Sequence, residues 1–328
     1  MMRKNRILSL VLCVVICMGL FSGCGSNSQA ANKKYSIVCT IFPEYDWAKQ
    51  VLGDDAANFD LTLLLDSGVD LHNYQPTADD IIKISNCDIF VYVGGESDEW
   101  VEDALKEATN KNMQVMNLLE VLGGDIKEEE LVEGMQGEEE EVEEEVEEGP
   151  EYDEHVWLSL KNAQVIVNKI KDAVCNVDKD NSDKYEKNAS QYISQLSDLD
   201  SKYEDAVKKE NTKTVLFGDR FPFRYLVEDY DLEYYAAFVG CSAETEASFG
   251  TITFLAKKVD ELGLSSIFVL EGSDQKIAET IIQNTKDKNQ QILVLDSMQS
   301  TTSGDIEEGA TYIKAMEKNL EALQNGLK

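Results

Sequence analysis

Only two histidines occur in this 328-residue chain, and each sits in a short polar motif: His72 in Asp70-Leu71-His72-Asn73-Tyr74-Gln75-Pro76-Thr77, His155 in Asp153-Glu154-His155-Val156-Trp157. Neutral imidazole is the commonest nitrogen ligand of zinc. A chain this poor in histidine has not scattered them over a solvated surface, which makes the pair the first candidate for a metal centre. Such a centre needs elements that bring the two rings together and donors that complete the shell.

The formal charge of −33 argues against nucleic acid and against anionic membrane surfaces as partners, and favours cations. Much of it is local. From Glu128 to Glu154 there is no Lys or Arg, and Glu138 to Glu148 is almost continuously acidic. Such a block repels itself and buries little apolar surface, so a disordered insertion is expected at about 127–152. Immediately before His155, it is either a solvated loop or a weak collector of cations. Cys39, Cys87, Cys175 and Cys241 lack the close paired spacing of a thiolate metal site. Cys39 and Cys87 read as small buried hydrophobes, and any disulfide pairing stays open.

Arg3, Lys4 and Arg6 precede the apolar run Ile7 to Phe21, which ends in Phe21-Ser22-Gly23-Cys24. This pattern is a secretory signal, too short for a comfortable membrane span. Its small-small-Cys ending resembles a lipoprotein cleavage site. Residues 1–23 are then a signal peptide, Cys24 carries the lipid, and 24–33 form a flexible tether. An ordinary signal cut nearby is the alternative.

The remaining chain is long enough for two domains. Tyr35 to Thr40, Phe59 to Leu65, Asp88 to Val93 and Gln114 to Asn117 read as strands, with helices at Tyr45 to Leu52, Ala78 to Asn86 and Asp98 to Ala108 between them. Thr77 and Ser97 are the expected helix caps. A helix from Asn162 to Cys175 leads to a long one from Ser182 to Lys209, with Tyr185, Ala189, Ile193, Leu196, Leu199, Tyr203 and Val207 on one stripe. The alternation then resumes with strands Thr214 to Phe217, Tyr234 to Phe238, Ser266 to Leu270 and Gln291 to Leu295. Helices are expected near Phe223 to Tyr230, Glu246 to Leu262, Lys276 to Lys286 and Glu307 to Leu323. The fold class is α/β: lobes at 34–181 and 211–328, each a mostly parallel sheet flanked by helices, joined by a rigid helix at 182–210.

Phe42-Pro43 with Asp46-Trp47, the Val69 to Thr77 segment, Asp88 to Gly94 with Glu99-Trp100, Glu154 to Leu158 and Val294-Leu295-Asp296 together resemble the zinc and manganese solute-binding lipoproteins of bacterial ABC importers. The likeness runs in order through nearly the whole mature chain. It implies a metal held between two lobes, with His72 and His155 as ligands. Asp296, at a strand end, matches the closing ligand. The third ligand departs from the pattern: its ungapped position falls on Arg220, which has no lone pair to offer, and one inserted residue moves it to Asp219. Asp219 is the expected third ligand or else a cap of the following turn, Arg220 and Glu271 are expected beside the ligands, and Glu244 and Glu246 stand as reserves. Glu246 also suits a helix start.

The resemblance implies an extracytoplasmic, lipid-anchored monomer that captures a divalent ion without catalysis and delivers it to a permease driven by an ATPase. Two imidazoles and two carboxylates suit zinc, which is favoured, and manganese. A surface-anchored metal-dependent hydrolase is the competing class. It lacks support from any His-Glu-x-x-His segment, nucleophile elbow or phosphate loop.

Overall fold

The computed structural model describes residues 34–136, 151–242 and 246–328. The expected signal peptide, Cys24, the tether and Glu244 lie outside them, as does the centre of the acidic insertion. Among the described residues no helix is long and apolar enough to cross a membrane.

The first lobe runs β1 (Tyr35–Cys39), α1 (Phe42–Leu52), β2 (Phe59–Leu63), α2 (Ala78–Asn86), β3 (Ile89–Tyr92), α3 (Trp100–Lys106), β4 (Gln114–Asn117), α4 (Leu118–Leu122) and α5 (Leu160–Val177). Its sheet is parallel, in the order β2-β1-β3-β4. After the 28-residue helix α6 (Ser182–Lys209), the second lobe runs β5 (Thr214–Phe221), α7 (Arg224–Asp229), β6 (Glu233–Val239), α8 (Phe249–Leu262), β7 (Ser266–Leu270), α9 (Lys276–Asn284), β8 (Gln291–Leu295), α10 (Ser303–Glu307) and α11 (Tyr312–Gly326). Its sheet is also parallel, in the order β6-β5-β7-β8. Strands such as Ser266–Leu270 are buried throughout, as a sheet covered on both faces requires. The α/β fold with two lobes and a long linking helix therefore stands as expected.

Local chemistry accounts for the helix boundaries. Thr77 caps α2 through a reciprocal box, its hydroxyl accepting the Asp80 N–H while the Asp80 carboxylate accepts the Thr77 N–H. Helix α8 starts at Phe249, because Ser248, not Glu246, accepts the Thr251 N–H. The expected Glu307 to Leu323 helix is split into α10 and α11 with Gly309, at φ 94°, between them. At the centre of the stripe on α6, Tyr192 is buried and Ile193 only half-buried. The Tyr192 hydroxyl faces Asp46, 3.4 Å away.

The lobes are joined by more than α6. The Trp157 indole donates to the Ser297 carbonyl at 2.8 Å, and the Tyr312 hydroxyl donates to the Trp157 carbonyl at 2.6 Å. Tyr312 also donates its backbone N–H to Asp46 at 3.0 Å and packs edge-on against Trp47. One core runs through the first lobe, α5, α6 and α11. A smaller core of Ile252, Leu255, Val259, Ile267, Val269 and Ile281 lies among β7, α8 and α9.

The roots of the acidic insertion are ordered, although the loop was expected to leave the fold at about 127 and return at 152. Asp153 donates its N–H to the Lys127 carbonyl and Glu129 donates to Glu151. Met135 is buried, and Gln136 pairs alongside Phe238 of β6. Backbone pairing and burial of Met135 offset the repulsion among the acids there.

Candidate metal centre

His72 lies in a 3₁₀ turn, Leu71–Asn73, whose capping residue Asp70 accepts the His72 N–H through Oδ1 at 3.1 Å. The same device recurs at the second histidine: Asp153 Oδ1 accepts the His155 N–H at 2.8 Å and also sits 3.0 Å from His155 Nδ1. These bonds present the two imidazoles to each other, Nε2 to Nε2 at 3.2 Å. Two nitrogens on one tetrahedral zinc lie about 3.3 Å apart, so the pair already has the spacing of shared ligands. His155 is fully buried, its ring between His72 and Trp157.

The acid–base environments of the rings differ. Burial, the facing His155 and the nearby Arg220 outweigh Asp70 and push His72 down to about 3, so its ring is neutral at physiological pH. Burial also opposes charge on His155, but Asp153, Glu154 and Asp70 outweigh it and raise its pKa. Because His155 Nδ1 must donate to the Asp153 carboxylate, a neutral His155 accepts at Nε2 from His72 Nε2 while His72 Nδ1 accepts from the Ser97 hydroxyl at 2.7 Å, and a protonated His155 reverses both bonds. Ser97, expected as a helix cap, instead lies in the turn Glu96–Asp98. Its hydroxyl faces His72 and its N–H donates to Glu154 Oε1 at 2.9 Å. The other Glu154 oxygen, buried and without a hydrogen bond, lies 3.5 Å from His72 Nδ1.

The second lobe contributes differently from expectation. Among the described residues, one ring nitrogen of each histidine and the sulfur of Cys241 lie within 4.8 Å of one another. Neither Asp219 nor Asp296 belongs to that cluster. A bulge in β5 between Phe217 and Arg220 shifts its register. Asp219 is turned to backbone, accepting from its neighbour Arg220 and from Leu270 N–H of β7 at 3.3 Å. Arg220 reaches Asp70 Oδ2 at 2.8 Å. Burial would raise the Asp70 carboxyl, but this guanidinium outweighs it and holds it below the usual range.

Asp296 accepts the Met298 N–H at 2.8 Å, and its charged neighbours are Lys318 and Asp305. Glu271 accepts both the N–H and the hydroxyl of Ser297, at 2.7 and 2.6 Å, which braces the turn that receives the Trp157 indole. Glu246 is exposed.

Sequence reading passed over Cys241. Its isolation from other cysteines hid it, while its position just beyond the carboxyl end of β6, where parallel sheets place ligands, was the available signal. Burial first, then Glu129, Asp153, Glu154 and Asp70, hold its thiol well above the ordinary range.

Comparison with known proteins fits this architecture. Residues 37–326 match the family model described as "Zinc-uptake complex component A periplasmic". The chain is 33% identical over 327 residues to the zinc-binding lipoprotein AdcA of Streptococcus pneumoniae, covering 98% of this chain and spanning only 61% of that relative's length. It is 30% identical to the high-affinity zinc uptake system protein ZnuA of Bacillus subtilis, covering 96% of each. Among solved structures, the Zn(II)-bound ZnuA-like domain of S. pneumoniae AdcA aligns at TM-score 0.70 and 29% identity, over 90% of this chain and 99% of that one. The metal-dependent lipoprotein YcdH of B. subtilis aligns at TM-score 0.72 and 29% identity, over 90% of this chain and 99% of that one. With the match running through both lobes, the chain belongs to the periplasmic zinc-uptake component A family.

Proposed function

We propose that this chain is the extracytoplasmic zinc-binding component of an ABC importer, which captures the ion between its lobes and delivers it to a membrane permease driven by an ATPase. The observation that carries this reading is the pair of imidazole nitrogens, 3.2 Å apart, each in a turn where an aspartate accepts the backbone N–H of the histidine two residues later. The relatives' own zinc binding and zinc uptake support zinc as the cargo. Cys24 is the proposed lipid attachment point, and a monomer is the proposed working unit.

His72 and His155 take the ion first, and donors from the second lobe close over it. Capture and release make and break only metal–ligand bonds, so the site is one of binding, not catalysis. The links through Trp157, Ser297 and Tyr312 restrict the lobes to small movements, so release comes through local rearrangement of the second-lobe donors. Elemental analysis of the purified protein, with competitive titration of zinc against manganese, tests the reading. One zinc per chain is expected, with affinity falling about 100-fold or more in His72→Ala and His155→Ala. Unchanged binding in both variants would overturn it.

A further inference from the structure

We propose that Cys241 is the third metal-binding residue of this cleft, and that its sulfur makes the site prefer zinc over manganese. The inference rests on the zinc-binding reading and deepens it. Three observations point the same way. The Cys241 sulfur lies within 4.8 Å of ring nitrogens from both histidines, and Cys241 forms no disulfide. The turn that carries it is pressed onto His155: a Cβ on Gly240 would come within 3.1 Å of the ring carbon Cε1 and 3.0 Å of the Phe221 carbonyl oxygen. Arg220 then ties the two halves together, donating from Nη2 to Asp70 Oδ2 at 2.8 Å and from Nη1 to the Ser242 carbonyl at 3.5 Å. One guanidinium thus links the turn next to Cys241 with the turn that presents His72.

Chemistry gives the arrangement its selectivity. Zinc bonds sulfur at about 2.3 Å and imidazole nitrogen at about 2.0 Å, so ligand atoms sharing one ion lie roughly 3.3 to 3.6 Å apart. The cluster needs to contract by little more than about 1 Å to reach that spacing. A thiolate with two imidazoles suits zinc and other borderline or soft cations, whereas manganese prefers carboxylate, carbonyl and water oxygens. Of the carboxylates that would have suited manganese, Asp219 has both oxygens on backbone N–H groups and Asp296 has one, and neither joins the cluster.

Cobalt(II) serves as the probe, because bound thiolate adds an intense near-ultraviolet charge-transfer band to the visible bands of a tetrahedral cobalt ion. The wild-type chain loaded with cobalt is expected to show both. Cys241→Ser is expected to keep the visible bands and lose the ultraviolet one, while Cys175→Ser keeps both. In competition titrations Cys241→Ser is expected to lower zinc affinity about tenfold or more while moving manganese affinity less than about threefold. Visible bands without the charge-transfer band in the wild-type protein would overturn the proposal and leave the zinc-binding reading intact. Survival of that band in Cys241→Ser would do the same. A wild-type chain that takes up neither zinc nor cobalt would overturn both. The wild-type spectrum decides the sulfur question even if the variant folds poorly.

Discussion

The two lobes build their sides of the cleft in different ways. In the first, each histidine is fixed by its own turn: Asp70 and Asp153 each accept the N–H of the histidine two residues later. In the second, Cys241 is placed by partners distant in the chain. Its N–H points to Glu129 at 3.5 Å, and the Arg220 guanidinium spans from the neighbouring Ser242 to Asp70. Short-range bonds hold a ligand ready before the ion arrives, whereas a turn held from afar can close and reopen. On the proposed function, the first half suits capture and the second suits release.

Replacing residues on each side tests that contrast. The largest effect is expected for Trp157→Ala, which empties a fully buried site packed against His155 and removes the indole bond to Ser297. Chemical denaturation should show a loss of about 3 to 5 kcal/mol. A much smaller loss would mean that the lobes are not locked through this residue.

Next comes a pH effect confined to the first lobe. Burial, and then Asp98, raise Glu44 from 4.5 to about 8 against the N–H donors of Thr40 and Ile41. One oxygen of each acid is buried without a hydrogen bond. The folded state thus holds this proton more tightly than the unfolded chain. Its contribution is fully present below about pH 4.5 and is lost as pH rises toward 8, by at most about 1.4 kcal/mol per unit. Glu44→Gln should flatten the fall in stability between pH 5 and 8, measured by urea unfolding, and an unaltered slope would contradict this account.

Asp153→Ala should weaken zinc binding about 10- to 100-fold by calorimetry, because it frees the His155 ring. Arg220→Ala should cost less than about tenfold, since it loosens a turn without freeing an imidazole. Equal losses would erase the contrast between the lobes. The smallest effect is expected for Thr77→Ala, which removes the cap of α2 and should lower stability by about 1 kcal/mol in thermal or denaturant melts, with zinc affinity unchanged.

Much of the architecture was legible because its signals are short-range. The spans of α2, α6, β4, β7 and β8 follow from apolar spacing and turn residues, and emerge with the same ends in the fold. The histidines were legible because only two occur, each inside a distinctive short motif, whereas the aspartates that hold their turns emerge from the fold. Misreadings arose where distant segments meet. Ser97 has the residue type and position of a helix cap, but Glu154 and His72 claim its polar groups. Asp219 sits at the bulge inside β5 with both oxygens on backbone N–H groups, and Asp296 follows β8 with Oδ1 on the Met298 N–H. An isolated cysteine carries no periodic or paired signal, so Cys241 emerged only once β6 was seen to deliver it to the rings.

By itself, then, the order of residues determined two parallel α/β lobes, a long bridging helix and a pair of imidazoles each braced by its own turn, because these depend on contacts within a few residues. Only the tertiary structure decided what faces those imidazoles. A bulge in β5 turned Arg220 toward Asp70 and Asp219 toward β7, and the turn after β6 brought a sulfur where an oxygen was expected. That outcome depends on register and on approach between segments more than 50 residues apart along the chain, which local pattern does not encode.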